Sequence, residues 1–208
     1  MIKLKTLLLT GFEPFLNFPI NPTENIVREL DGHFIGEFKI IGKILPVDFQ
    51  TAGEHLIQFF NEINPNAVVS LGLAGGRYKI TPERIAINCN DGAADNRGNK
   101  FIGKKIDEEG PDGLFSTLPV QAIVDHLNNN HFPAEVSNSA GTYLCNNVMY
   151  QMLNELKRKE ESIPSGFIHI PASHELTVIQ KNLPSWSQID LTNAIKLAIN
   201  VISTNEEN

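Results

Sequence analysis

The run Ala67-Val68-Val69-Ser70-Leu71-Gly72-Leu73 is almost continuously apolar. Such a strand is typical of a sheet that helices cover on both faces. On either side of this run, apolar strand patterns alternate with amphipathic helical patterns, which indicates parallel strands joined by helical crossovers. We therefore predict an α/β fold in which a mostly parallel, twisted sheet lies between two layers of helices.

Caps, turn residues and apolar spacing divide the rest of the chain into elements. Asn21 and Pro22 predict a helix start, with Asn as the N-cap and Pro in the first helical position, and Gly32 ends that helix. The predicted strands cover residues 6–10, 38–45, 67–73, 85–88, 135–137 and 166–170, and the other helices cover 51–63, 119–130, the segment after Cys145 and 190–203. The polar stretch 91–113 is irregular, and irregular stretches of such length in a compact domain are usually functional or mobile.

Composition narrows the class of protein. The 208 residues suit one domain spanning 1–208, and the net charge of -7 without a basic cluster argues against nucleic acid as a partner. Two cysteines cannot build a disulfide framework, which favours a reducing compartment. The N-terminal apolar run Leu7-Leu8-Leu9 is shorter than the ~7–15 residues of a signal-peptide core, and no stretch approaches the ~20 apolar residues of a membrane span. We expect a cytoplasmic protein that binds neither nucleic acid nor membranes.

Cys145 is the strongest candidate for chemistry. The turn-forming run Ser137-Asn138-Ser139-Ala140-Gly141 precedes it, and the apolar residues after it recur at helical spacing. The thiol is therefore expected near a helix N-terminus, where unpaired N–H groups and the helix dipole favour a nucleophilic thiolate. With a histidine and a carboxylate in reach, Cys145 would be the nucleophile of a hydrolase or transferase.

His169 is the first candidate for the base. It ends the predicted strand 166–170, and the topology places it on the same rim of the sheet as the Cys145 turn. Its apolar neighbours also fit a core histidine, whereas a place beside Cys145 fits a general base. His174 is the alternative base, and no second histidine follows it at the spacing of a zinc-protease helix, so we predict no metal site. Cys89 is interpreted as a buried structural thiol.

Glu83 and two phenylalanines have alternative interpretations. Glu83 stands beside Arg84, and such a glutamate is usually part of a surface ion pair; a catalytic carboxylate is the alternative. Phe12 and Phe15 follow the first strand. They fit core aromatics and equally fit the wall of a flat, apolar pocket.

Four motifs in order give the chain a family resemblance over nearly its whole length. The chain resembles pyroglutamyl peptidase I, also called pyrrolidone-carboxylate peptidase. The motifs are Thr10-Gly11-Phe12-Glu13-Pro14-Phe15 with Asn21-Pro22, Gly72-x-Ala74-Gly75-Gly76-Arg77 with Ile80-Thr81-Pro82-Glu83-Arg84, Ser139-Ala140-Gly141-Thr142-Tyr143-Leu144-Cys145-Asn146, and Gly166-Phe167-Ile168-His169-Ile170-Pro171.

The resemblance implies a phosphorylase- or hydrolase-like α/β/α domain, no cofactor, and a homo-oligomer, often a tetramer. It implies a Cys145–His169–Glu83 triad that removes N-terminal pyroglutamate from peptides through a thioester acyl-enzyme. The substrate-binding residues that it implies are Phe12, Phe15, Asn21, Leu73, Tyr143 and Leu144.

Two departures from the family pattern bear on activity. The family commonly has Gln where this chain has Leu73, and an Arg soon after the Asn-Asp pair where this chain has Gly92 and Ala93. An arginine near the nucleophile would help to hold a thiolate or an oxyanion. Arg97 is the nearest substitute in sequence.

Two other functions compete with peptidase activity. The missing arginine is compatible with a weakly active or non-catalytic binding protein on the same scaffold. A nucleoside phosphorylase-type enzyme would need a phosphate site, for which the sequence offers only Arg77 and Arg84 as basic candidates.

Overall fold

The computed structural model describes residues 5–16 and 18–204. The strands are β1 (Lys5–Phe12), β2 (Phe34–Ile35), β3 (Phe38–Leu45), β4 (Ala67–Leu73), β5 (Thr81–Pro82), β6 (Ile85–Ile87), β7 (Gly113–Phe115), β8 (Ser165–Ile170), β9 (Ala172–Ser173) and β10 (Ser185–Trp186). The helices are α1 (Pro22–Leu30), α2 (Ala52–Ile63), α3 (Val120–Asn129), α4 (Leu144–Lys159), α5 (His174–Ile179) and α6 (Gln188–Thr204).

The main sheet has the order β2-β3-β1-β4-β8-β5. Its central strands β3, β1, β4 and β8 are parallel to one another, while β2 and β5 pair in the antiparallel sense at the two edges. The carboxyl ends of the central strands therefore meet at one rim of the sheet. The mostly parallel sheet predicted from the sequence is confirmed.

Helices cover both faces of this sheet. Apolar side chains of α1, α3 and α6 pack with alternate residues of the central strands into one core, to which Leu7, Leu9 and Ile168 contribute. The intervening strand residues, such as Leu8 and Phe167, face α2 and α4 in a second core. Because successive strand residues point to opposite faces, a buried strand must be apolar at nearly every position. All of β4 is buried accordingly.

Local interactions determine where α1 begins and where α2 ends. Asn21 caps α1, and its Oδ1 accepts a hydrogen bond from the backbone N–H of Thr23 at 3.2 Å, with Pro22 in the first turn. Helix α2 ends at Asn64 in the left-handed conformation, which asparagine tolerates better than most residues.

Two predicted strands differ from their predicted form, and several short elements were not predicted. Residues 135–137 do not form a strand; they run beside residues 80–84 with isolated bridges at Ala134 and Ser137. The predicted strand 85–88 is β6, which pairs with β7 outside the main sheet. Helix α5 and the short strands β2, β5, β7, β9 and β10 are not predicted. Strands of two residues depend on partners distant in sequence, so periodicity gives no signal for them.

Within residues 5–16 and 18–204, no helix is long and apolar enough to cross a bilayer. The same residues contain no group of three or more His, Cys, Asp or Glu side chains that could hold a metal ion.

Candidate active site

Cys145 lies in the first turn of α4, with Tyr143 as the N-cap residue. The N-cap makes no side-chain hydrogen bond to the helix, so the first N–H groups of α4 have no cap from it. Gly72, near the end of β4, leaves space for the thiol: a Cβ atom there would lie 2.8 Å from Cys145 Sγ and 2.6 Å from Cζ of Phe167. The rim of the sheet and the start of the helix thus meet at the sulfur atom.

Asn146 attaches the start of α4 to the neighbouring loop. Its Nδ2 donates to the carbonyl oxygens of Ile87 at 2.8 Å and Cys89 at 3.0 Å, and its Oδ1 accepts from the Ile87 N–H at 2.8 Å. Asn146 is fully buried, and these bonds satisfy its amide. The residue directly after the thiol therefore fixes the position of the helix start.

His169 and Glu83 form a buried pair beside the thiol. His169 Nδ1 lies 2.7 Å from Glu83 Oε1, and the imidazole also hydrogen-bonds with the Cys145 side chain. Thr81 on β5 pairs with His169 on β8, which brings the residue that follows β5 against the histidine. Glu83 is fully buried, so it is not the surface ion-pair residue that its sequence context favours.

The positive charge of His169 and the negative charge of Glu83 stabilise each other. Burial lowers the pKa of His169, but Cys145 and Glu83 outweigh burial and raise that pKa from 6.5 to about 9. Burial raises the pKa of Glu83, but its hydrogen bonds and charged neighbours, His169 foremost, keep that pKa below 4.5. The arrangement favours an imidazolium between the Glu83 carboxylate and the Cys145 sulfur atom.

A narrow apolar pocket opens beside Cys145. Its lining contains all of the predicted substrate-binding residues together with one residue that the sequence analysis missed, Val47. The lining residues are Phe12, Phe15, Asn21, Val47, Leu73, Tyr143, Leu144 and Cys145. Val47 follows the end of β3, so its place on the same rim could have been inferred from the topology.

Aromatic rings form the walls of the pocket. The ring centroids of Phe15 and Tyr143 lie 6.4 Å apart, and the Tyr143 ring packs edge-on against Phe49 at 5.2 Å. The Tyr143 hydroxyl donates to the Ala94 carbonyl oxygen at 3.1 Å, which ties the 91–94 segment to the pocket. Burial, with Asp95 and Cys145, raises the pKa of Tyr143 to about 12, so this hydroxyl is neutral.

Asn21 has a structural task besides its place in the pocket lining. Its Oδ1 accepts from the backbone and hydroxyl of Thr23, and its Nδ2 donates to the Glu13 carbonyl oxygen at 3.1 Å. The amide is therefore held in one orientation, with only part of its hydrogen-bonding capacity left for a ligand.

The two departures from the family pattern have different consequences. Leu73 ends β4 and contributes an apolar side chain to the pocket. No lysine or arginine of the described residues lines the pocket. Arg97 does not replace the missing arginine in the pocket lining; it forms an ion pair with Asp48 at 2.9 Å. Positive charge beside Cys145 comes from His169.

The remaining candidates lie outside the pocket lining. His174 begins α5, is exposed, and its Nδ1 lies 2.9 Å from Ser185 Oγ. Cys89 is half-buried rather than fully buried as predicted, and its thiol is unpaired. A larger depression around Asn66 and Pro164 lies where residues precede β4 and β8, at the opposite end of the sheet. Its described lining holds no titratable side chain.

A helix-end cysteine, a strand-end histidine and a buried glutamate on an α/β sheet have the arrangement of a cysteine-type hydrolase site. A family model described as pyroglutamyl peptidase matches residues 5–205. The chain therefore belongs to the pyroglutamyl peptidase family.

Relatives and solved structures agree with this membership. The chain is 53% identical over 196 residues to the pyrrolidone-carboxylate peptidase of Oceanobacillus iheyensis, covering 94% of this chain and 98% of the relative. The pyrrolidone carboxyl peptidase of Thermococcus litoralis superposes with a TM-score of 0.94 at 41% identity, covering 98% of this chain and 95% of that one. The pyroglutamyl peptidase I of Bacillus amyloliquefaciens gives a TM-score of 0.92 at 38% identity, covering 96% and 97%.

Proposed function

We propose that this chain is a cysteine peptidase that hydrolyses the N-terminal pyroglutamyl residue from peptides. The observation that carries the proposal is the contact of Cys145 with a buried His169–Glu83 pair at the mouth of an apolar pocket. The family of the chain and the names of its relatives support the same reaction.

The cluster suits acyl transfer through a thioester. His169 Nε2 holds the proton of the Cys145 thiol, and the thiolate attacks the pyroglutamyl carbonyl carbon. The imidazolium then gives its proton to the leaving amine as the C–N bond breaks, which leaves the acyl group on sulfur. Water loses a proton to His169, attacks the thioester, and releases pyroglutamate and the thiol. Glu83 orients the ring and stabilises its cationic form.

The pocket suits the substrate because pyroglutamate carries no charged α-amine. Its nitrogen is locked in an uncharged lactam, which Phe12, Phe15 and Tyr143 can enclose. Backbone N–H groups at the start of α4 are candidate donors to the oxyanion. A prolyl residue lacks the lactam carbonyl, so groups that bind this oxygen would be left unpaired.

The nucleophile assignment is tested by replacing each of the two cysteines. Cys145→Ala is expected to abolish release of the fluorophore from a pyroglutamyl amide, because no other thiol contacts His169 in the described structure. Cys89→Ala is the matched control and should retain turnover, since Cys89 does not line the pocket. Circular dichroism checks that both variants are folded.

Normal turnover by Cys145→Ala would refute the assignment. A prolyl amide serves as the substrate control and should be cleaved far more slowly by the unmodified chain. A folded chain that cleaves neither amide would favour the alternative function, a weakly active or non-catalytic binding protein. The lack of an arginine in the pocket lining is the observation that supports this alternative.

We also propose a cytoplasmic location and a homotetrameric assembly. The two unpaired cysteines support a reducing compartment. The family resemblance supports the tetramer, and both statements stay predictions.

A further inference from the structure

Arg77 makes contacts that join the segments carrying the triad. Its Nη1 donates to Glu83 Oε1 at 2.6 Å and to Thr81 Oγ1 at 2.6 Å. Its Nη2 donates to the Ser139 carbonyl oxygen at 3.3 Å. One guanidinium thus links the loop after β4, the strand β5 with the adjoining Glu83, and the turn before α4.

The carboxylate of Glu83 is held mainly through one of its two oxygens. Oε1 accepts from Arg77 and also lies 2.7 Å from His169 Nδ1. Oε2 is buried and has no hydrogen-bond partner among the described residues. The Ser137 side chain also lies close enough to lower the pKa of this carboxyl. The short contacts that orient the carboxylate against the imidazole are the two at Oε1, to Arg77 and to His169.

We propose that Arg77 is a positioning residue for the hydrolysis, which acts by fixing Glu83 against His169. The proposal rests on the proposed function, because it assigns a role within that site. Arg77 does not line the pocket, so it acts through Glu83 rather than on the substrate.

The geometry explains why arginine suits this position. A planar guanidinium can donate from both terminal nitrogens at once, whereas a lysine ammonium is a single point charge on a flexible chain. Removing one partner from a buried charged pair leaves the other without compensation. The charged groups that face Glu83 are Arg77 and His169. The Cys145 side chain contacts the same histidine.

Two substitutions and one control test the proposal. Arg77→Gln removes the positive charge. Arg77→Lys keeps the charge but loses the planar guanidinium with its two terminal nitrogen donors. Lys79→Gln is the matched control. Lys79 stands two positions after Arg77, forms an ion pair of the same 2.6 Å length with Glu135, and does not touch the triad. The readouts are kcat and KM for a pyroglutamyl amide, the pH profile of kcat/KM, and thermal unfolding.

Arg77→Gln is expected to lower kcat by on the order of 10- to 100-fold, the effect of a small misplacement of catalytic groups. KM should stay near its original value, because substrate binding does not involve this side chain. The low-pH limb of kcat/KM should move to higher pH, since Glu83 loses a neighbouring cation. Arg77→Lys should recover part of kcat, and Lys79→Gln should behave like the unmodified chain.

Two outcomes would overturn the proposal. One is an unchanged kcat in folded Arg77→Gln. The other is a loss of kcat that is equal in Arg77→Gln and Arg77→Lys, is proportional to the loss of thermal stability, and leaves the pH profile unchanged. That result would indicate that Arg77 has a purely structural role. Failure of the proposed function itself would be distinguishable, because the unmodified chain and Lys79→Gln would then also be inactive.

Discussion

His169 lies between a thiol and a carboxylate, and its charge depends on both. Burial alone would favour the neutral ring, yet Cys145 and Glu83 raise its pKa from 6.5 to about 9. Because the folded-state pKa is raised, protonated His169 stabilises the fold fully below about pH 6.5, and this contribution is lost as the pH rises through about 9. His169 therefore carries a positive charge beside Cys145 at neutral pH.

This coupling predicts the pH dependence of a Glu83→Gln variant. The amide keeps the shape of the carboxylate but removes its charge, so the pKa of His169 should fall. The alkaline limb of kcat/KM, expected near pH 9 in the unmodified chain, should move to lower pH by on the order of one unit. Stopped assays of a pyroglutamyl amide across pH measure the shift.

Glu135→Gln is the matched control, because Glu135 is exposed and pairs with Lys79 outside the pocket. Its alkaline limb should stay in place. An unmoved limb in Glu83→Gln would mean that the carboxylate does not set the charge of His169.

At the scale of single elements, β4 leaves room for the Cys145 thiol through Gly72. A Cβ at this position would approach Cys145 Sγ and the Phe167 ring more closely than real contacts allow. Gly72→Ala should therefore displace the thiol, lower kcat, and lower the free energy of unfolding by about 1–3 kcal/mol. Chemical denaturation and steady-state kinetics measure the two effects.

Gly76→Ala is the control within the adjoining loop. Apart from its two chain neighbours, no described residue has an atom within 4 Å of a Cβ built at Gly76, and its backbone is not in the left-handed region. The substitution should therefore leave both quantities nearly unchanged. A Gly72→Ala variant with the original kcat and stability would contradict the tight contact between β4 and the thiol.

Elements with strong local signals could be predicted closely, and elements formed by distant pairing could not. The strands at residues 38–45 and 67–73 match their predicted limits. Strand β4 is buried along its whole length, and such a strand needs apolar residues at nearly every position. Strand β5 was missed because its two residues become a strand only by pairing with β8. The same pairing brings Glu83 to His169, 86 positions away, so no local pattern reports their contact.

The site shows the same division between local and distant signals. The cysteine turn predicts a helix start, and α4 begins one residue before Cys145. The link from Arg77 to Glu83 and Ser139 joins residues from separate segments, so only the folded chain reveals it. The triad and substrate-binding roles taken from the resemblance stay predictions, although the residues concerned meet at one pocket.

At the scale of the whole molecule, the sheet separates two cores, and only one of them borders the thiol. Cys145 and Phe167 pack with α2 and α4, whereas α6 packs on the opposite face. The chemistry and a large part of the stability therefore come from different sides of the sheet. Substitutions distant from each other and without shared partners usually have independent effects.

A pair of substitutions in α6 tests this separation. Ile195 is fully buried in the core opposite the thiol, so Ile195→Ala should lower the free energy of unfolding by about 2–5 kcal/mol. Ile189 lies in the first turn of the same helix with 72% of its surface exposed, and Ile189→Ala should change stability by at most about 0.5 kcal/mol. Urea denaturation measures both. At temperatures where Ile195→Ala is folded, its kcat should equal that of the unmodified chain. A fall in kcat that parallels the loss of stability would contradict the separation. It would mean that the strands transmit packing changes from one face of the sheet to the thiol on the other face.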